Sequence, residues 1–215
     1  MKRFIAAAML AFTIVGATAV RAEALPDQTA REVTDEIVKL IKANHDAYSK
    51  DYKKLYAMVD QNLLPHFDFR KMAQQVLGPA WRSASEEQRT RFTAEFRDLL
   101  VRTYATALLK YTNEEIVYQP LKLAAGDQIA TVKSTIRRGG GAPPIAINYS
   151  FFHRDNGWKI YDMAIEGPSI VTTYQRVYSE RLQKQSIDQL IETLAQENKR
   201  ASAGSAAAAG AGTGK

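Results

Sequence analysis

The chain has 215 residues, no cysteine and a formal net charge of +6. The absence of cysteine excludes disulfides and thiolate catalysis, so the hydrophobic core alone must hold the fold. About 175 residues remain once two atypical terminal segments are set aside, which suits one domain with a substantial core.

The first 22 residues are predicted to be a secretory signal peptide. Lys2 and Arg3 precede an apolar run from Phe4 to Val15. Val20-Arg21-Ala22 fits a small-x-small cleavage site, with Ala17-Thr18-Ala19 as a second choice. The apolar run is shorter than the roughly 20 residues of a membrane span, which disfavours an uncleaved anchor. We therefore expect an exported protein with a net charge lowered from +6 to +3, and no nucleic-acid partner.

Residues 27–113 have a helical apolar period. One helix is predicted to end at Gly78-Pro79. The strongest start signal follows at Ser85, which forms a capping box with Gln88. The helix that begins there is expected to run to about Tyr111 and to lie across the sheet. Its apolar stripe includes Leu99, Thr103, Tyr104 and Leu108.

The apolar period then changes to two and predicts an antiparallel meander of four strands. Asn156-Gly157 is the sharpest hairpin signal between them. The predicted strands are Ile116–Leu123, Ile129–Arg138, Ile145–Arg154 and Trp158–Glu166.

Two helices are predicted after the strands, from about Ser169 to Gln183 and from Ser186 to about Arg200. The small-residue segment 201–215 is predicted to be a disordered tail, which leaves residues 23–200 as a single domain. The predicted fold class is α+β, an antiparallel four-stranded meander sheet packed with several helices.

Few residues are candidates for catalysis or metal binding. The histidines His45, His66 and His153 are far apart in the sequence, without the spacing of metal ligands. Asp162 and Glu166 share one face of a predicted strand and are candidates for acid–base work. A salt bridge at the strand end, to Lys159 or an arginine, is the simpler interpretation. We predict no catalytic residue, no metal and no cofactor.

One face of the predicted sheet is rich in large apolar side chains, because they alternate with small or polar residues along the strands. This alternation fits either a filled core or a ligand cavity. The candidate cavity residues are Leu99, Thr103, Tyr104, Leu108, Val132, Ile136, Ile147, Tyr149, Phe151, Tyr161, Met163 and Tyr174.

Two blocks of the sequence resemble the MlaC family, also called the toluene-tolerance auxiliary family. Residues 67–112 contain Phe-Asp-Phe, Leu-Gly-x-x-Trp, Glu-Gln-Arg-x-x-Phe and Leu-x-x-Thr-Tyr signatures in order. Residues 148–178 contain Trp-Lys-x-Tyr-Asp followed by Glu-Gly-x-Ser. The chain departs from the family pattern at Pro168, where an aliphatic residue is usual, and at Gln175, where an arginine is common.

The resemblance implies a periplasmic phospholipid carrier whose sheet and helices surround an apolar lipid cavity. Its expected partners are a glycerophospholipid, an inner-membrane ABC transporter with an MCE-domain subunit, and an outer-membrane lipoprotein–porin complex. Its expected role is to maintain outer-membrane lipid asymmetry, with the Gly167-Pro168 corner closing one end of the cavity. The alternative is an enzyme or binding protein for another small apolar ligand on a cone-shaped sheet-and-helix scaffold. An interaction module with a filled core is a third interpretation.

Overall fold

The computed structural model describes residues 24–111, 114–154 and 157–211, with side chains described as far as Ser202. The predicted signal peptide and the first residue of the Asn156-Gly157 turn lie outside these residues. Within them the protein is α+β, as predicted, with helices, then one sheet, then two more helices. No helix in the described ranges is both long and apolar enough to cross a membrane.

The elements have the following bounds. Before the sheet come α1 (Pro26–Lys50), α2 (Tyr52–Asn62), α3 (Phe69–Leu77), α4 (Pro79–Ser83) and α5 (Glu86–Tyr104). The strands are β1 (Glu115–Tyr118), β2 (Ile129–Arg137), β3 (Ile145–Arg154) and β4 (Gly157–Ile165). Helices α6 (Ile170–Leu182) and α7 (Ile187–Ala211) follow, and short 3₁₀ segments span Leu64–His66 and Ala105–Lys110.

The predicted helix signals around α5 are present. Gly78 follows α3 with a φ of +53°, a conformation that favours glycine. The backbone N–H of Gln88 donates to Ser85 Oγ at 3.1 Å, and the N–H of Ser85 donates to Gln88 Oε1 at 2.9 Å. However, α5 ends at Tyr104 rather than Tyr111, and the chain tightens into a 3₁₀ segment that packs against α1 and α2.

The last helix extends beyond its predicted end near residue 200, as far as Ala211. Alanine has the highest helix propensity, and the added segment is mostly alanine. Residues 212–215 lie outside the described part of the chain. The boundary of the domain near residue 200 stays a prediction.

The sheet has the order β1-β2-β3-β4 and is antiparallel throughout. β1 is shorter than predicted and ends before Pro120, which lacks the N–H needed to continue the ladder. Val132 pairs with Tyr149 and Ile136 pairs with Ile145, so these side chains share one face of the sheet. We call it the inner face, and the opposite face, which includes Phe152, the outer face.

A β-bulge between Ser150 and Phe151 shifts the register of β3 against β4. Ile160, not Tyr161, is therefore opposite Phe151. Tyr161 lies on the outer face, where Lys71 Nζ is 5.4 Å from its ring centroid and 3.7 Å from that of Phe152. The predicted position of Tyr161 on the inner face is wrong, because one bulge reverses the alternation of a strand.

Three hydrophobic clusters form the core. The helical cluster joins α3 to α7 around Phe92, Phe96 and Tyr178. The α1–α2 cluster contains Ile37, Leu55 and the 3₁₀ segment that begins at Ala105. The sheet cluster consists of Ala30, Ala130, Val132, Phe151, Trp158 and Ile160.

The long helix does not occupy its predicted place. α5 packs chiefly against α3 and α7, within the helical cluster. The inner face is instead covered by α1, whose Ala30 belongs to the sheet cluster. The small side chain of Ala30 allows this close approach of helix and sheet.

Candidate functional site

The two ends of the inner face differ in their exposure to solvent. At one end Ala130 and Phe151 are 4% and 0% exposed. At the other end the last residue pairs of β2, β3 and β4 are only half-buried, and exposed loops adjoin them. We call the first the sealed end, which consists of Ala130, Val132, Phe151, Trp158 and Ile160. The second is the open end, which consists of Ile136, Ile145 and Ile165.

The course of α1 explains the difference. Ala30 packs in the sheet cluster, but Val33, Ile37 and Ile41 pack in the α1–α2 cluster. The helix therefore covers the sheet through its first turns and then turns its apolar stripe towards α2. The open end keeps exposed apolar surface beyond the point where α1 leaves it.

Four side chains with hydroxyl groups lie where α1 leaves the sheet. The Tyr118 hydroxyl donates to Thr34 Oγ1 at 2.9 Å and contacts the Ala30 carbonyl oxygen at 3.2 Å. The Ser134 and Thr34 side chains lie close to the Tyr149 hydroxyl, and Ser134 Oγ donates to the Ile147 carbonyl oxygen at 3.5 Å. We call Thr34, Tyr118, Ser134 and Tyr149 the hydroxyl cluster.

Burial dominates the ionisation of the two tyrosines in the hydroxyl cluster, although the Arg31 guanidinium lies 4.3 Å from the centroid of the Tyr118 ring. Burial raises the pKa of Tyr118 to about 12, although the hydrogen bond with Thr34 acts in the opposite direction. Burial also raises the pKa of Tyr149, although the neighbouring Ser134 and Thr34 side chains act in the opposite direction. Ser134 is only 2% exposed. The Tyr118 hydroxyl ties α1 to β1, and the Ser134 hydroxyl is satisfied by the Ile147 carbonyl oxygen of β3.

Helices α5 and α6 border the open end. Leu99 and Tyr174 pack in the helical cluster together with Met163 and Ile165 of β4. The Tyr174 ring meets that of Phe96 edge-on at 5.3 Å. Burial raises the pKa of Tyr104, and the Tyr174 hydroxyl raises it further, so these two hydroxyls lie near each other.

The structure brings together only part of the predicted set. Leu108 packs in the α1–α2 cluster, and Thr103 is exposed, with its Oγ1 donating to the Leu99 carbonyl at 2.8 Å. Val132 and Phe151 lie in the sealed end, where protein atoms fill the space. The residues that remain around the open end are Leu99, Tyr104, Ile136, Ile147, Tyr149, Met163 and Tyr174.

Sequence reasoning missed three members of the hydroxyl cluster. Tyr118 and Ser134 are directly opposite in the register of β1 and β2, on the inner face. That pairing depends on the register of the short strand β1 with β2, which the alternation of apolar residues in the sequence does not define. Thr34 follows Val33 on α1 and has no distinguishing signal in the sequence.

The strand-to-helix corner after β4 is fixed by Asp162. Its Oδ1 accepts hydrogen bonds from the backbone N–H groups of Met163 at 2.8 Å and Val171 at 3.0 Å. β4 ends at Ile165, and Glu166 follows with a φ of +52°. Asp162 and Glu166 therefore do not form the predicted pair on a strand face. The carboxylate of Asp162 instead ties the start of α6 to β4.

The predicted salt bridge to Lys159 is also wrong. Lys159 Nζ donates to the Pro65 carbonyl oxygen at 2.8 Å. The histidines occupy separate positions, with His45 Nε2 3.0 Å from the Leu109 carbonyl oxygen and the His153 ring 5.0 Å from that of Trp158. Among the described residues, no group of three His, Asp or Glu side chains is placed to hold a metal ion.

Two clefts lie elsewhere on the surface. One of about 550 Å³ lies at the junction of α6 and α7 beside Lys184, Asp188 and Glu192. The other, of about 530 Å³, lies between α3, α4 and α6 beside Lys71 and Gln175. Charged and amide side chains make up much of the lining of both clefts.

The chain is similar in sequence and in fold to several known proteins. Residues 31–196 match the profile of the MlaC protein family. The chain belongs to the MlaC family. The "Intermembrane phospholipid transport system binding protein MlaC" of Haemophilus influenzae is 29% identical over 177 residues, covering 81% of this chain and 83% of that protein. The "Toluene tolerance protein ttg2D" of Pseudomonas putida is 23% identical over 164 residues, covering 76% and 75%.

A solved structure shares the fold of this MlaC-family chain. It is the phospholipid-binding protein from Ralstonia solanacearum, in complex with a phospholipid. Its TM-score is 0.76 at 30% sequence identity, and the match covers 83% of this chain and 99% of that one.

The Phe-Asp-Phe motif has a structural role in this chain. The Asp68 side chain accepts from the Lys71 backbone N–H at 2.8 Å, which caps α3, and it pairs with Arg154 at 2.6 Å. The backbone N–H of Asp68 donates to the Ile160 carbonyl oxygen at 2.8 Å. The motif therefore fastens α3 to the β3–β4 hairpin and sets the helical cluster against β4.

Proposed function

We propose that this protein is a periplasmic carrier that moves glycerophospholipid between the outer and inner membranes and so maintains outer-membrane lipid asymmetry. Membership of the MlaC family and the likeness to a phospholipid-bound structure support the proposal. The observation that carries it is the open end of the inner face, where large apolar side chains keep exposed surface beside α5 and α6.

The proposed ligand position is the space between the open end and α5 and α6. Each acyl methylene moved from water into apolar surroundings contributes about 0.8 kcal/mol. A carrier must therefore keep the chains covered during transit. The residues proposed to contact the chains are Leu99, Tyr104, Ile136, Ile147, Tyr149, Met163 and Tyr174, and the head group would remain near solvent.

Loading and unloading by such a carrier are partition steps and need no catalytic residue. Asp162, the strongest candidate for acid–base work, is occupied by two backbone N–H groups at the corner. We propose an inner-membrane ABC transporter with an MCE-domain subunit and an outer-membrane lipoprotein–porin complex as the partners that receive and supply the lipid.

The test measures phospholipid in the protein purified from the periplasm of a strain with normal membranes. Native mass spectrometry is expected to show a phospholipid adduct, and organic extraction is expected to recover glycerophospholipid. Ile136→Asp should lose the adduct, because a carboxylate at the open end opposes the acyl chains.

Thr135→Asp is the matched control. It adds the same charge to the neighbouring residue of β2, whose side chain points to the outer face. This variant should keep the adduct. A clean mass without lipid for the wild-type protein, or equal loss of lipid in both variants, would contradict the proposed function.

A further inference from the structure

The hydroxyl cluster lies between the open and sealed ends of the inner face. In β3 the order is Ile145 at the open end, then Tyr149 in the hydroxyl cluster, then Phe151 at the sealed end. Ser134 of β2 is directly opposite Ile147, one inner-face position nearer the open end than Tyr149, and Tyr149 is opposite Val132 of the sealed end. Any acyl chain that enters at the open end therefore meets Ser134 and then the Tyr149 ring before it can reach Phe151.

We propose that the hydroxyl cluster is the base of the acyl cavity and sets the longest chain that the protein accepts, with the Tyr149 ring as the residue that determines this specificity. The inference rests on the proposed function. It adds to that function a preference among phospholipids, by the length of their chains.

The depth of the site supports this role. Tyr149 lies four residues from Ile145, and a strand rises about 3.4 Å per residue, so the base lies about 14 Å below the entrance. One acyl chain occupies about half of the 30 Å hydrocarbon layer of a bilayer, or about 15 Å. The two lengths agree, so a chain of ordinary membrane length would end at the Tyr149 ring.

Beyond the ring there is no room for further methylenes. Phe151 is fully buried, and its neighbours in the sheet cluster include Val132 and Ala30. α1 is also held against the sheet, because Tyr118, opposite Ser134 in the neighbouring strand, bonds Thr34 and the Ala30 carbonyl oxygen. A longer chain would have to break these hydrogen bonds or leave its last methylenes in water.

The experiment measures competitive binding of a homologous series of phosphatidylglycerols that differ only in acyl-chain length. In the wild-type protein, affinity should rise with each methylene and then stop rising at one length. Tyr149→Ala should move this limit to longer chains. Each further buried methylene then increases affinity about fourfold, the equivalent of about 0.8 kcal/mol.

Tyr161→Ala is the matched control, because it removes the same side chain from the outer face of the next strand. Its length limit should equal that of the wild-type protein. If Tyr149→Ala does not fold, Tyr149→Leu keeps apolar packing with a shorter side chain and should shift the limit in the same direction.

The outcomes separate the two proposals. A wild-type protein that binds no phosphatidylglycerol of any length contradicts the proposed function. A wild-type protein that binds the series, together with folded Tyr149 variants whose limit is unchanged, overturns the role of the hydroxyl cluster alone. A shift of equal size in Tyr161→Ala would also overturn it.

Discussion

The sealed and open ends of the inner face have the same kind of sequence and different surroundings. Both consist of apolar residues that alternate with residues of the outer face along β2 and β3. At the sealed end Ala30 of α1 closes over the sheet, whereas at the open end α1 has already turned towards α2. The path of one helix, rather than strand composition, therefore determines where this sheet has a filled core.

A single charge placed at each end in turn should have very different effects on stability. Val132→Asp buries a carboxylate in the sheet cluster, where Val132 is 1% exposed. An unpaired buried charge costs several kcal/mol, against a total stability of about 5–15 kcal/mol for a domain. We expect no cooperative thermal transition for this variant.

Ile136→Asp, on the same face of the same strand, should keep a cooperative transition, because the open end is reached by water. Circular dichroism during heating distinguishes the two variants. Cooperative unfolding of Val132→Asp at a temperature near that of the wild-type protein would show that the sealed end is not a filled core.

Truncation of a side chain at each end should also destabilise the sealed end more than the open end, by less than a buried charge does. Phe151→Ala should lower the free energy of unfolding by about 3–5 kcal/mol, the usual cost of removing a buried aromatic side chain. Ile145→Ala should lower it by less than about 1.5 kcal/mol, since the side chain is already partly exposed. Urea denaturation of both variants gives the two values, and equal losses would contradict the distinction between the ends.

The corner that places α6 beside the open end can be weakened without adding a charge. Asp162→Asn reduces the interaction with the start of α6 and should cost about 1–2 kcal/mol. Lipid transfer between donor and acceptor vesicles should stay within a few-fold of the wild-type rate in the folded variant. Selective collapse of transfer in a folded Asp162→Asn protein would instead favour an acid–base role for this residue.

Loss of a hydroxyl from the hydroxyl cluster, between the two ends, should reduce stability only slightly. Tyr118→Phe removes the hydrogen bonds to Thr34 and Ala30 and should cost about 1 kcal/mol below pH 10. Folding raises the pKa of Tyr118 from 10 to about 12, so the neutral hydroxyl is the form that the fold stabilises. That stabilisation is complete below pH 10 and is lost as the pH rises to about 12.

The difference in unfolding free energy between the wild-type protein and Tyr118→Phe should therefore narrow from pH 10 to pH 12. Denaturant unfolding at several alkaline pH values measures it. A difference that stays constant over this range would show that Tyr118 ionises alike in the folded and unfolded chains.

Local signals predicted the strands and capped helices well. The capping box at Ser85 and the bounds of β3 depend on neighbouring residues, so a single sequence is enough to find them. The face of the sheet on which Tyr161 lies could not be predicted. The bulge opposite Ser150 and Phe151 leaves the alternation of apolar and polar residues in the sequence unchanged.

The site was harder to predict than the fold. Leu108 and Leu99 fit one helical stripe, but the 3₁₀ segment after Tyr104 sends Leu108 into the α1–α2 cluster. The covering of the sheet by α1 depends on contacts between residues about a hundred positions apart, such as Ala30 with Ala130. Periodicity reports on one element at a time and has no information on such pairings.

The position of the end of the bound acyl chain distinguishes the inner face from the outer face as the lipid site. A phospholipid with a photoreactive diazirine at the last carbon of one chain is bound to the wild-type protein and irradiated, and labelled residues are mapped by mass spectrometry. The proposed site predicts labels on inner-face residues at the level of Ser134, Ile147 and Tyr149. Labels confined to the outer face, around Phe152 and Tyr161, would contradict it.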